Sequence, residues 1–249
     1  MIFHTFGNKE NKAVVLIHGV LTPWQIWNTA IDKFRSRYFV VVPELDGHTE
    51  NEKTVFTSVT DEAAKIHEYI RDELGGKVYL LAGLSMGGRI AASVAKNEDI
   101  KIENLVLDGA PLAKINGLMK HIFKKNYNCI INKSKARDKK ILESAKKDFL
   151  PEERIEDYLK VADNMEPGSV NAIIDTVFED FDFEEYKNGM KILFMHGTKG
   201  NESVARKSTV KIKEANPQTE IRCFEGFAHA ELACFKPEQW VREVEGFIS

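Results

Sequence analysis

An apolar run, Val78 to Leu84, drives straight into Ser85, with Gly83 two residues before that serine and Gly87 two residues after it. A small-residue helical pattern follows at once in Ile90, Ala91, Ala92, Val94 and Ala95. A strand that stops in a sharp bend and feeds a helix brings its own backbone into close approach, and glycine has no Cβ to collide there. The stretch therefore reads as strand, tight turn and helix, with the Ser85 Oγ raised above the helix N-terminus. The bare pattern G-x-S-x-G recurs by chance; its place between strand and helix gives it weight.

The rest of the chain supplies a sheet for that strand. Apolar runs without polar alternation fall at Ala13–His18, Tyr38–Val42, Lys77–Leu84, Asn104–Asp108, Lys191–Met195 and Glu220–Phe224, as expected for parallel strands covered on both faces. Ile2–Phe6 reads as a short edge strand. Helical patterns occupy the intervals at Gln25–Arg35, Val59–Leu74, Met86–Lys96, Ser203–Ala215 and Pro237–Phe247, with Gly75-Gly76 closing the second of them. Alternating strands and helices predict an α/β fold with a mostly parallel central sheet flanked by helices. From Leu112 to Lys187 the rhythm breaks. The composition turns helical and lysine-rich, and apolar residues recur at helical spacing in Ile155, Tyr158, Leu159, Val170, Ile173, Ile174 and Val177. A structureless loop of that length is improbable in a compact domain, so the segment reads as an inserted helical subdomain. Its lysines read first as a solvated helix face.

Composition removes several function classes. The 249 residues are 43% hydrophobic with a formal net charge of -3, which fits a folded core and calls for neither nucleic acid nor an anionic membrane as partner. The first apolar run is too short for a signal peptide or a membrane span. Three cysteines, Cys129, Cys223 and Cys234, without a C-x-x-C pair, read as reduced thiols in a cytoplasmic protein. Phosphate-loop and dinucleotide fingerprints are missing, and no histidine or cysteine cluster has metal-ligand spacing. His229-Ala230-Glu231 has the His-x-Glu of a zinc deaminase but lacks its P-C-x-x-C partner. No cofactor and no metal are expected.

A serine hydroxyl needs a base to become a nucleophile, and a reaction through it needs an orienting acid and an oxyanion hole. His229 follows the last strand and precedes the closing helix, which places it above the carboxyl ends of the strands with Ser85. The plain alternative is a surface-loop histidine. Ile17-His18-Gly19-Val20-Leu21 follows the first strong strand. The Val20 N–H there and the Met86 N–H at the start of the elbow helix form a candidate oxyanion hole. His18 reads as a structural residue beneath that loop. Trp24 and Trp27 line the pocket or belong to the core.

These pieces, taken in order, resemble the α/β-hydrolase superfamily over nearly the full chain: His18-Gly19 with Trp27, Pro43 to His48, the Gly83–Gly87 elbow, Leu107 to Pro111, His196-Gly197 and His229. The resemblance implies an α/β-hydrolase core at 1–111 and 188–249, with 112–187 as a helical cap or lid over the pocket. It also implies an acid three residues after Gly197, but Gly200 stands there. Two replacements are open. Asp108 ends the strand after the elbow helix, where some members, including certain haloalkane dehalogenases, carry their acid. Glu202 lies two residues past the empty position. Asp108 takes precedence because a strand end is more rigid than a loop. Each has a plain reading too: Asp108 caps the following loop, and Glu202 favours the dipole of the next helix.

The expected activity is a serine hydrolase cleaving a carboxylic ester or thioester of a small apolar acid through an acyl-enzyme. Ser85, His229 and Asp108 (or Glu202) are the expected catalytic residues. A small-molecule ester is the expected partner, and the chain is a monomer or homodimer. The alternatives are another acyl or C–C hydrolase, an aminopeptidase, or a ligand-binding pseudohydrolase, the last suggested by Gly200. A dehalogenase would need Asp where Ser85 stands.

Overall fold

The computed structural model describes residues 1–183, 185–186 and 189–249. Seven strands form one sheet: β1 (Ile2–Phe6), β2 (Ala13–Ile17), β3 (Phe39–Glu44), β4 (Lys77–Leu84), β5 (Lys101–Asp108), β6 (Lys191–Gly197) and β7 (Glu220–Phe224), in the order β1-β3-β2-β4-β5-β6-β7. Only β1 runs antiparallel, against β3; the remaining pairs are parallel. All five residues of β2 are buried, which is why it carries no polar alternation.

Helices α1 (Asn28–Phe34), α2 (Val59–Glu73), α3 (Met86–Val94), α8 (Ser203–Ala215), α9 (Glu231–Phe235) and α10 (Pro237–Ile248) flank the sheet. Between β5 and β6 come α4 (Gly117–Lys135), α5 (Lys139–Asp148), α6 (Ile155–Asn164) and α7 (Pro167–Val177), and no strand occurs there among the described residues. Asn116 and Asp138 open α4 and α5 by accepting first-turn amides, and Pro167 sits in the first turn of α7 where its missing N–H costs nothing. The junction expected between residues 187 and 188 lies outside the described residues. Among those residues, no helix is long and apolar enough to cross a membrane.

The main differences from the sequence reading are three. The helix expected over Gln25–Arg35 splits into a 3-10 turn at Trp24–Trp27 followed by α1. β5 begins three residues early, at Lys101. The five-residue α9 has too little periodicity to be seen in sequence.

Register brings the site together. Ile17 pairs with Gly83 and Leu84 with Asp108, so the carboxyl ends of β2, β4 and β5 lie side by side. The strand order reverses between β2 and β4, the crevice where open parallel sheets bind ligands. Arg89 of α3 reaches across this end of the sheet. Its guanidinium donates to the carbonyls of Pro111 (3.2 Å), Glu179 (3.0 Å) and Asp180 (3.4 Å), holding both ends of the inserted helices to the elbow helix.

Candidate active site

Ser85 sits between β4 and α3 at φ +53° and ψ −115°, a strained conformation for a residue with a side chain. The two glycines make the bend possible. A Cβ on Gly83 would lie 2.2 Å from the Gly87 carbonyl oxygen, and one on Gly87 would lie 2.4 Å from the carbonyl oxygens of both Ile17 and His18.

The Ser85 Oγ lies 2.8 Å from His229 Nε2, and His229 Nδ1 lies 3.0 Å from Glu202 Oε1. These three side chains form one hydrogen-bonded line. Asp108, the preferred acid of the sequence reading, is not in it. Of the two candidate acids, the structure brings Glu202 to the imidazole. The reason is a connection between two loops. Thr198 and Lys199 donate their amides to the Phe227 carbonyl (3.1 Å each), the His229 amide donates to Asn201 Oδ1 (3.1 Å), and Gly226 N donates to Thr198 Oγ1 (2.8 Å). The loop after β6 is thereby folded onto the loop after β7. A 3-10 turn at Gly200–Glu202 then turns the Glu202 side chain inward to 1% exposure. Glutamate's extra methylene helps to span the distance from beyond the empty position.

Asp108 lies buried nearby, with Oδ2 lacking a hydrogen-bond partner. Burial, reinforced by the Glu202 charge, pushes its carboxyl up to about 7. For His229, burial disfavours the imidazolium, but the Glu202 hydrogen bond and the charges of Glu202 and Asp108 outweigh it and shift the ring upward.

Val20 and Met86 both border the cavity beside Ser85, and neither amide N–H has an acceptor among the described residues. The loop carrying Val20 is pinned by two buried histidines. His18 Nε2 accepts the Leu45 amide (3.2 Å) while its Nδ1 donates to the Gly19 carbonyl (2.9 Å). His48 Nε2 accepts the Leu21 amide (3.1 Å), holding Leu21 at φ +57°. The rings meet edge to face at 5.1 Å. His48 entered the sequence reading only as the end of the Pro43 to His48 stretch, with no role of its own; its bond to the Leu21 amide is what the structure adds.

The cavity above Ser85 has a volume of about 510 Å³. Its outer wall comes from the inserted helices through Met119, Phe123, Tyr127, Ile173, Val177 and Phe178. Neither tryptophan considered for this pocket borders it: Trp27 packs on Trp240 in the core at 4.7 Å, and Trp24 stacks on His4 at 4.2 Å. Glu231 accepts the Ala228 amide at 2.8 Å and so stiffens the His229 loop. Among the described residues one cluster of acids elsewhere, Asp46, Asp61 and Glu62, has the spacing to hold a cation, and the Lys65 ammonium bonds to all three.

A model of the alpha/beta hydrolase fold family matches residues 12–226. The chain superposes over its full length on the whole of a putative alpha/beta hydrolase family protein from Desulfitobacterium hafniense, with a TM-score of 0.80 and 21% identity. It superposes over 99% of its length on 93% of a carboxylesterase structure from the thaumarchaeon Nitrososphaera gargenis, with a TM-score of 0.74 and 18% identity. At these identities the likeness is one of fold. An AB hydrolase superfamily protein of Gibberella zeae is 23% identical over 109 residues, which is 43% of this chain and 39% of that relative's length.

Proposed function

Because the chain belongs to the α/β-hydrolase fold family, we propose that it is a serine hydrolase that cleaves carboxylic esters or thioesters of apolar acids through an acyl-enzyme. The observation that carries the reading is the continuous line from Ser85 Oγ through the imidazole of His229 to the Glu202 carboxylate.

Each group has a role that follows from its position. The lone pair on His229 Nε2 takes the Ser85 proton as Oγ attacks the substrate carbonyl. Glu202 at Nδ1 fixes the tautomer that leaves Nε2 basic and stabilises the imidazolium that forms. The Val20 and Met86 amides receive the negative oxygen of the tetrahedral intermediate, the latter at the positive end of α3. His229 then returns the proton to the leaving alcohol or thiol, and water discharges the acyl group by the same steps in reverse. The apolar walls supplied by α4 and α7 support an apolar acyl chain and a cap role for the inserted helices. The carboxylesterase activity named for the Nitrososphaera structure is in keeping with this chemistry. A non-catalytic reading drew its motive from Gly200, and a carboxylate 3.0 Å from Nδ1 supports catalysis instead.

The test is turnover of short-chain 4-nitrophenyl esters together with labelling by a fluorophosphonate probe. The wild-type protein turns over and labels, and Ser85→Ala loses turnover by up to about 10⁶-fold and does not label. Turnover retained by Ser85→Ala overturns the reading.

A further inference from the structure

The charge lining the cavity carries information about which acyl group enters it, an inference that rests on the hydrolase reading above. The inserted helices are rich in lysine, yet no lysine or arginine borders the cavity among the described residues. Several of their cations are engaged elsewhere, and the others do not border the cavity. Lys120 donates to the Asp175 carbonyl (2.7 Å), Lys124 to Asp175 Oδ2 (2.6 Å), Lys135 to the Met165 carbonyl (2.8 Å) and Lys146 to Glu152 (2.9 Å).

Away from the Ser85 line, the one charged side chain bordering the cavity among the described residues is Asp148. It is the last residue of α5 and makes no hydrogen bond or ion pair with any described residue. It is exposed and stands at the negative end of that helix's dipole, so backbone and side chain contribute the same sign on the cavity side, while Lys146 and Lys147 of the same turn do not border the cavity. Tyr127 of α4 borders the same space. Its hydroxyl has no hydrogen-bond partner among the described residues, and burial pushes the phenol up. An acyl chain ending in a carboxylate would enter this space without a counter-ion and face a like charge. Both effects oppose binding. A chain that is uncharged meets mostly apolar walls and a free phenolic donor and suffers no repulsion from Asp148, and one ending in an ammonium meets a carboxylate.

We propose that Asp148 is a specificity-determining residue that makes this an anion-excluding cavity, so that the substrates are esters of uncharged or cationic acids and not half-esters of dicarboxylic acids. Discrimination of this kind arises as much from repulsion of the wrong ligand as from attraction of the right one.

Ethyl hexanoate and monoethyl adipate match in chain length and differ by one distal carboxylate. Proton release measures kcat/KM for each with the wild-type protein, Asp148→Asn and Asp148→Lys, and calorimetry measures the binding of both uncleaved esters to Ser85→Ala. The expected result is a wild-type preference for ethyl hexanoate of about 30-fold or more, shrinking in the order wild type, Asp148→Asn, Asp148→Lys. The same preference is expected in binding to Ser85→Ala. A wild-type ratio near one, or a ratio that both Asp148 variants leave unchanged, overturns the proposal while the hydrolase reading stands. Selective binding of ethyl hexanoate without cleavage of either ester by the wild-type protein supports the cavity inference and overturns the hydrolase reading. Absence of both binding and cleavage overturns both.

Discussion

Asn201 Oδ1 accepts the backbone amide of His229 at 3.1 Å, immediately beside the residue whose carboxylate reaches the His229 ring. The segment that supplies the acid thus also fixes the backbone of the residue it serves. Local perturbation of 198–202 displaces both partners together, and substitutions there act on geometry as well as charge.

Glu202 and Asp108 are separable by paired substitutions. Glu202→Gln keeps the shape and loses the charge at Nδ1; the expected loss in kcat is about 10³ to 10⁴-fold. Asp108→Asn is expected to stay within about threefold of wild type. Asp108 ionises at about 7 when folded, above the ordinary carboxylate value, so its effect is a folding penalty that grows as pH rises from about 4 through 7. Asp108→Asn removes that penalty, and at pH 8 its urea midpoint should correspond to a gain on the order of 1–3 kcal/mol. An inactive Asp108→Asn protein beside an active Glu202→Gln protein would reverse the assignment.

The acid limb of the rate profile follows from the His229 ring. Because its net shift is upward, kcat/KM should fall with decreasing pH around a midpoint above about 6.5. Glu202→Gln removes the charge and weakens the hydrogen bond that raise it, so the residual activity should show a midpoint displaced to lower pH. Rate profiles from pH 5 to 9 on both proteins measure this directly.

His48 should matter to turnover without touching substrate. His48→Phe leaves the Leu21 amide without its acceptor and frees the loop carrying Val20. The expected outcome is a fall in kcat of about 10 to 100-fold with little change in KM, and a stability loss of about 1–3 kcal/mol. The ring also has a pH signature. Burial pushes His48 down to about 4, and burial with the neighbouring His48 charge pushes His18 to about 3. Between about 6.5 and these values the unfolded chain binds protons that the native rings refuse, so stability declines as pH drops through that window. His48→Phe should show a shallower decline in melting temperature between pH 6.5 and 4.

Gly83→Ala should abolish folding rather than activity alone. The added methyl would meet backbone 2.2 Å away, where no side-chain movement gives relief, and a cost above about 4 kcal/mol is expected. Soluble expression and circular dichroism distinguish this from a folded, inactive protein; a native-like spectrum would refute the close-packing account of the bend.

The sheet was readable in the chain because strands buried on both faces, such as Val14 to Ile17, carry no polar residues to disguise them. Ser85 and His229 were readable because each is fixed by its place against a strand end. Glu202 was ranked second for a physical reason: rigidity of the tether favoured Asp108, whereas the structure gives Nδ1 to the carboxylate on a loop braced by another loop. That brace, Thr198 and Lys199 to Phe227, joins residues nearly thirty positions apart, and no local pattern records it. The role of His48 escaped notice for the same reason, since its partner Leu21 lies 27 residues upstream. The split of the expected Gln25–Arg35 helix and the short α9 fall below the length at which periodicity is informative.

Arg89 sets a condition on chimeras. Its guanidinium belongs to the elbow helix, but the acceptors it needs are main-chain carbonyls at the two roots of the insert, Pro111 on one side and Glu179 and Asp180 on the other. Main-chain acceptors place no demand on side-chain identity, so the intervening helices can diverge freely while the anchorage survives. A foreign insert transplanted at these roots is compatible when its ends present carbonyls to that one cation, whatever the sequence between them.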